Sequence, residues 1–250
     1  MSRAVVQRTA LVTGASQGLG REIALRLAAA GHRVAVNYFS SVDAAERTVA
    51  AIRDSGGTAA AVRADVRDPA QVTALVAEIT RLLGPPEIVV HNATGPQPMK
   101  PIENYAWCDF QDQLDFFVKA PVLLTQAMLA AMKQARWGRI ILIGSEVIDL
   151  GNANFSAYVA AKAAMVGLAR AWATEFGPSQ ITVNLVAPGW IPVERHAGTP
   201  PAALAAYTAA VPLQRQGTPA DIAGAVAYLA SDDAAFITGQ SLAVNGGNTF

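Results

Sequence analysis

At 250 residues, with 52% apolar and only 15% charged side chains, the chain has the composition of one folded unit with a large core, and disorder is excluded. Lysine plus arginine equals aspartate plus glutamate at 19 each, leaving no net charge to hold a nucleic acid or an anionic membrane. A single cysteine, Cys108, rules out an intrachain disulfide, Met1–Arg8 lacks a secretory pattern, and no unbroken apolar run of ~18 residues appears, so a soluble cytoplasmic protein is expected. In chain order, Thr9–Thr13 reads as a strand running into a glycine-rich turn, and Glu22–Ala30 as a helix closed by Gly31. Arg33–Asn37 is a second strand and Val42–Asp54 a second helix; Thr58–Arg63 is a third strand, followed by a helix over Pro69–Leu83 with proline in its first turn. Glu87–His91 is a fourth strand and Trp107–Lys133 a long amphipathic helix, broken or bent near Pro121 at most. Strands at Arg139–Ile143, Ile181–Val186 and Ser241–Val244 follow, separated by helices at Ser156–Phe176 and Pro219–Ala230.

Short apolar strands alternating with helices imply a parallel sheet covered on both faces, and right-handed crossovers make it a doubly wound, Rossmann-type α/β fold of about seven strands. A single domain over residues 1–250 is expected, with one excursion from the sheet at about 188–219. That proline- and alanine-rich segment is long enough to act as a lid, though an ordinary structured loop with a helix in it fits equally.

Gly14, Gly18 and Gly20 lie in a seven-residue turn between the first strand and the first helix. Glycines there let the chain turn tightly and let a pyrophosphate approach free main-chain N–H groups, helped by the helix dipole. The spacing is G-x-x-x-G-x-G, not the G-x-G-x-x-G fingerprint, but its place between strand and helix points to a dinucleotide. An acid about 20 residues beyond would bind an adenosine ribose 2′-hydroxyl. Here the second strand ends in Asn37, Tyr38, Phe39, Ser40 and Ser41, and Asp43 falls late, facing solvent at a helix start. The two serine hydroxyls could receive a 2′-phosphate, whereas no lysine or arginine stands nearby in sequence. NADP(H) is favoured over NAD(H).

Tyr158 and Lys162 are spaced to share one helical face. A free tyrosine titrates near ~10, and a neighbouring ammonium favours its phenolate, which makes the pair a usable acid/base. Tyr-x-x-x-Lys alone is common by chance. Ser145 strengthens it, because it follows the fifth strand's carboxyl end, where open α/β sheets place ligands.

Together Thr13–Gly20, Asp65 with Val66, His91–Ala93, Ser145, Tyr158 with Lys162, Asn184, Pro188-Gly189 and Val244–Gly247 resemble the short-chain dehydrogenase/reductase family, in particular its 3-oxoacyl-carrier-protein reductases. The likeness runs through almost the whole chain, and Ser145 precedes Tyr158 by the family's common 13 residues. The resemblance implies a hydride transfer between a nicotinamide cofactor and a carbonyl or secondary alcohol. Tyr158 would donate or accept the proton, Lys162 would lower its pKa and hold the nicotinamide ribose, and Ser145 would bond the substrate oxygen. Gly14, Ser16, Gln17, Gly18, Leu19 and Gly20 would receive the pyrophosphate, and Tyr38, Ser40 and Ser41 the adenosine ribose. Asp65 and Val66 would line the adenine pocket, Asn92 and Ala93 would pass behind the cofactor, and Pro188, Gly189 and Ile191 would contact the nicotinamide. It also implies a homotetramer or homodimer, for which Ala160–Ala164 and Ile237–Val244 would suit, although burial within one subunit explains both equally.

Three departures stand out. The family's active-site asparagine, which holds a water linking the lysine to solvent, falls 28 residues before the serine, on Phe117. Either Pro121, lacking an N–H, frees the carbonyl of residue 117 for that water, or the relay is broken and the chain binds cofactor with weak or no catalysis, as a sensor or scaffold. Dehydration or epimerisation on the same fold is a third possibility. Thr94 narrows the space beside the nicotinamide, and Val193 replaces a threonine that reaches the carboxamide. Of the other residues, His91 reads as a packed, hydrogen-bonded histidine and His196 as a candidate substrate contact beside Glu194 and Arg195. Trp107, Trp137 and Trp172 read as packing residues, Trp190 as a pocket wall, and Pro96–Met99 as an overhang at its mouth. Three dispersed histidines and one cysteine give no metal-ligand spacing.

Overall fold

The computed structural model describes residues 6–250, Arg195 by its backbone only; part of the segment read for a leader thus lies outside the described residues. Seven strands form one parallel sheet: β1 (Thr9–Val12), β2 (Arg33–Tyr38), β3 (Thr58–Arg63), β4 (Pro86–His91), β5 (Gly138–Ile143), β6 (Ile181–Pro188) and β7 (Ser241–Val244). Their order is β3-β2-β1-β4-β5-β6-β7, so the chain reverses its direction of travel between β1 and β4. Ligands of open α/β sheets bind at such a switch point, beyond the strands' carboxyl ends.

The central strands β1, β4, β5 and β6 are buried along most of their length because both faces are covered, whereas the edge strand β7 is largely exposed. Ala10, Val12, Ile88, Val90, Ile141 and Ile143 point to one core, shared with helices α1 (Gly18–Ala29), α2 (Val42–Asp54) and α9 (Pro219–Ala230). Leu11, Val89, Ile140 and Leu142 point to the other, shared with α3 (Pro69–Leu83), α5 (Ala120–Ala135) and α7 (Ser156–Phe176). A period of two along each strand thus feeds two separate cores. The remaining helices are α4 (Trp107–Leu114), α6 (Val147–Leu150) and α8 (Pro201–Ala210), the last within the 188–219 excursion.

Two boundaries differ usefully from the sequence expectation. Helix α1 begins inside the glycine turn, at Gly18, so its first N–H groups face the site. The long helix expected over 107–133, broken or bent near Pro121 at most, is interrupted just ahead of that proline. Between α4 and α5 lies a π-helical turn, Asp115–Lys119, in which the Ala120 N–H reaches back to the Asp115 carbonyl. Pro121 has no N–H to donate back to the Phe117 carbonyl in the preceding turn, and the ladder is widened just before it. The stretch Trp107–Ala135 also has the length and mean hydropathy of a membrane span, which a search for an unbroken apolar run passes over. Here Phe117, Leu124, Met128 and Met132 bury its apolar side in the core beneath β4 and β5.

Candidate active site

Beyond the carboxyl ends of the strands lies one cavity of about 980 Å³. Every residue singled out above for cofactor or chemistry lines it: the glycine turn, Tyr38, Ser40, Ser41, Asp65, Val66, Asn92, Ala93, Ser145, Tyr158, Lys162, Pro188, Gly189 and Ile191. The sheet does this, because residues from the ends of six strands converge only when the strands lie parallel.

The glycine turn is held from both sides. The Asn92 amide donates to the Thr13 carbonyl (2.9 Å) and the Gly14 carbonyl (3.2 Å), while the main-chain N–H groups of Asn92 and Ala93 both donate to the Thr13 hydroxyl (2.9 Å each). On the other side the buried Asn37 side chain accepts from the Gly14 N–H and donates to the Val62 and Ala64 carbonyls. Gly14 and Gly18 take left-handed φ values of 63° and 57°. A Cβ on Gly20 would stand 2.4 Å from the Gly14 oxygen and 2.5 Å from the Asn92 amide nitrogen. The turn is therefore a narrow cradle of main-chain donors at a helix start, which fits a diphosphate.

Tyr38, Ser40 and Ser41 line the cavity, whereas Asp43 does not and is exposed as expected; Asp65 and Glu194 are among the acids that do line it. Folding brings one cation of β3 against this segment, although Arg63 does not itself line the cavity. Pairing of β2 with β3 puts Arg63 opposite Tyr38, and its guanidinium Nε donates to the Phe39 carbonyl (3.0 Å). Asp65 is ionised and fully engaged: the Arg67 guanidinium binds both its oxygens (2.9 and 2.8 Å), holding its carboxyl below the usual carboxylate range. Arg67 also lies over the Phe116 ring, 4.6 Å from its centroid.

At the other end, Ser145 follows β5 and half-faces the cavity, with Tyr158 and Lys162 one turn apart on the buried face of α7. The Lys162 ammonium donates to the Ile143 carbonyl at 2.6 Å and sits 3.8 Å from the centroid of the Phe117 ring. Phe117 in turn meets Tyr158 edge-to-face (5.5 Å, 83°), and Phe155 stacks on the other side of Tyr158 (4.6 Å, 18°). A lysine only 4% exposed needs partners for its charge, and here a carbonyl and an aromatic face supply them. The π-turn places Phe117 there, which supports the reading that the helix is already loosened at this point.

Other residues fall as follows. His91 is buried, but neither ring nitrogen has a hydrogen-bond partner among the described residues, which corrects the hydrogen-bonded expectation; burial pushes its pKa down to about 3 and keeps it neutral. His196 lines the cavity, accepts from the Val193 N–H (3.3 Å) and packs against Trp190. Val193 lies against Gly18, and Thr94, Gln97, Met99 and Trp190 line the cavity. Trp107 is not a packing residue: it is 70% exposed and stacked only on Phe110. Trp137 is held between the guanidinium groups of Arg8 and Arg139, and Trp172 stacks on Phe176. Glu146, Tyr207 and Asn248 also line the cavity, and the sequence reading named none of them. Only Glu146's place next to Ser145 could have drawn attention to it.

A model of the family described as enoyl-(acyl carrier protein) reductase matches residues 14–249. The chain is 40% identical over 242 residues to the 3-oxoacyl-acyl-carrier-protein reductase FabG of Pseudomonas aeruginosa, covering 96% of each. Among solved structures it resembles a 7α-hydroxysteroid dehydrogenase complexed with NADH and 7-oxo-glycochenodeoxycholic acid (TM-score 0.93, 32% identity, 99% of this chain and 98% of that one). It also resembles a putative NAD(P)-dependent gluconate 5-dehydrogenase from Beutenbergia cavernae with bound NADP (TM-score 0.89, 35% identity, 96% of each chain). The chain belongs to the short-chain dehydrogenase/reductase family. Within that family it is an NAD(P)-dependent oxidoreductase interconverting a carbonyl and an alcohol.

Proposed function

We propose that Tyr158 is the general acid in carbonyl reduction and the general base in alcohol oxidation, with Ser145 bonding the substrate oxygen and Lys162 favouring the phenolate. The observation that carries this is the single cavity that joins the glycine cradle to Ser145, Tyr158 and Lys162. A bound nicotinamide cofactor supplies or takes the hydride. The chain's own part is placement and proton handling. Gly14, Ser16, Gln17, Gly18, Leu19 and Gly20 hold the diphosphate, Asp65 and Val66 border the adenine, and Pro188, Gly189 and Ile191 flank the nicotinamide. Lys162, fixed by the Ile143 carbonyl and the Phe117 ring, keeps a positive charge near the Tyr158 ring, 5.5 Å from its centroid. That field stabilises the phenolate left when Tyr158 gives up its proton.

NADP(H) is the preferred cofactor in this reading: two serines line the cavity where an acid would select NAD(H), and Arg63 is bonded to the neighbouring Phe39 carbonyl. The substrate is a small carbonyl or secondary alcohol compound, and Val147, Phe155 and Trp190 give its end of the cavity an apolar wall. The chain works as one domain whose 188–219 excursion covers the substrate. Exposed Leu242 on the edge strand β7, with fully exposed Phe236 and Phe250 nearby in sequence, supports a homodimer or homotetramer, in the cytoplasm. Replacing Tyr158 by Phe tests the core of the reading. NADPH oxidation with a panel of ketones should vanish while cofactor affinity, read by NADPH fluorescence, stays within about threefold. Activity surviving that change would disprove the assignment.

A further inference from the structure

Glu146 directly follows Ser145 and is only 4% exposed, yet the chemistry above gives it no role. A buried carboxylate is costly unless its oxygens are satisfied. Here each oxygen accepts from a different segment. One takes the Tyr207 hydroxyl of α8 at 2.7 Å, and the other the Asn248 side-chain amide near the C-terminus at 3.0 Å. The Glu146 main-chain N–H donates to the Pro188 carbonyl (2.9 Å). Tyr207 extends the chain of bonds, since its oxygen accepts the Trp190 N–H at 2.7 Å. That oxygen rests directly on Gly189, where a Cβ would come within 2.5 Å of it. Burial also raises the Tyr207 pKa, so its hydroxyl remains a donor at neutral pH. The Pro188–Trp190 segment is thus gripped from both ends by one residue: Pro188 by the Glu146 main chain, and Trp190 through Tyr207 by the Glu146 carboxylate.

We infer that Glu146 and Tyr207 form a latch that holds α8 over the substrate end of the cavity and fixes the Pro188–Trp190 main chain. Glu146 is a positioning residue: it acts through Tyr207 and the 188–190 backbone. The consequence for turnover rests on the reading that this backbone flanks the nicotinamide. Tyr207→Phe keeps the ring against Trp190 (5.5 Å, 77°) but removes both hydrogen bonds of the hydroxyl. Glu146→Gln keeps an acceptor for Tyr207, whereas Glu146→Ala keeps none.

The experiment is hydrogen exchange on residues 201–210 in the full chain, beside steady-state kinetics with NADPH and one accepted ketone. In Tyr207→Phe and Glu146→Ala, exchange of that segment should rise by about tenfold, as loss of one charge-assisted bond allows. The ketone KM should rise by a similar factor and kcat should fall less. The double variant should fall well short of the sum of the two single changes, because the Glu146–Tyr207 bond is common to both, and Glu146→Gln should recover most of the loss. Unchanged exchange, additive effects, or equal losses in kcat and in thermal stability without a KM change would each overturn the latch. If the wild-type chain reduces no carbonyl at all, the proposed chemistry fails, while the exchange measurement still decides the latch.

Discussion

Phe117 offers the sharpest quantitative test, because its ring touches both members of the acid/base pair. The perturbation is Phe117→Leu, which keeps a buried apolar side chain but removes the aromatic face. With Phe117 2% and Lys162 4% exposed, the cation–ring contact at 3.8 Å belongs at the desolvated end of its range, about 2 kcal/mol. The edge-to-face contact with Tyr158 adds about 0.5–1.5 kcal/mol beyond burial. A double-mutant cycle with Lys162→Met separates the two, since only the first contact involves the lysine. Urea unfolding should give a Phe117–Lys162 coupling of roughly 1–2 kcal/mol. In NADPH-dependent ketone reduction, kcat should fall by about tenfold if ~1.4 kcal/mol of that contact is expressed in the transition state. A coupling near zero together with unchanged kcat would refute the claim that the ring holds the ammonium in place. A many-fold gain in rate from Phe117→Asn would show instead that proton resupply limits the chain as it stands.

Two further outcomes follow from the site. Arg63→Ala should raise the KM for NADPH by about tenfold, the scale of one charge-assisted contact, and leave the KM for NADH within twofold; equal effects on both would remove Arg63 from the 2′-phosphate. His91 titrates at about 3 when folded against 6.5 in the free side chain, so the folded chain binds fewer protons there than the unfolded chain between these values. Stability is therefore present above pH 6.5 and is lost as pH falls towards 3, by about 2 kcal/mol at pH 5. His91→Leu should narrow the gap between urea midpoints measured at pH 7.5 and pH 5; an unchanged gap would place the acid sensitivity elsewhere.

The alternation of apolar strands and helices was legible in the chain itself. The starts and ends of α2, α3, α7 and α9 fall where proline, glycine and the apolar period place them. The motif residues were legible too, because Gly14, Gly18, Gly20, Ser145, Tyr158 and Lys162 carry their chemistry in residue type and spacing. Tertiary structure decided what depends on neighbours distant in sequence. Arg63 reaches the Phe39 carbonyl only because β3 pairs with β2, and no local pattern encodes that register. The Phe117 ring meets Tyr158 and Lys162 only because the π-turn before Pro121 packs against α7, and a period of 3.6 carries no sign of that contact. Glu146, Tyr207 and Asn248 meet across more than a hundred residues of chain, so their carboxylate, phenol and amide could be joined only by the folded sheet. Local periodicity and backbone sterics act over a few residues and are written along the chain. Buried polar partners are set by which segments the core brings together, and that exists only once the two apolar faces of the sheet have been covered.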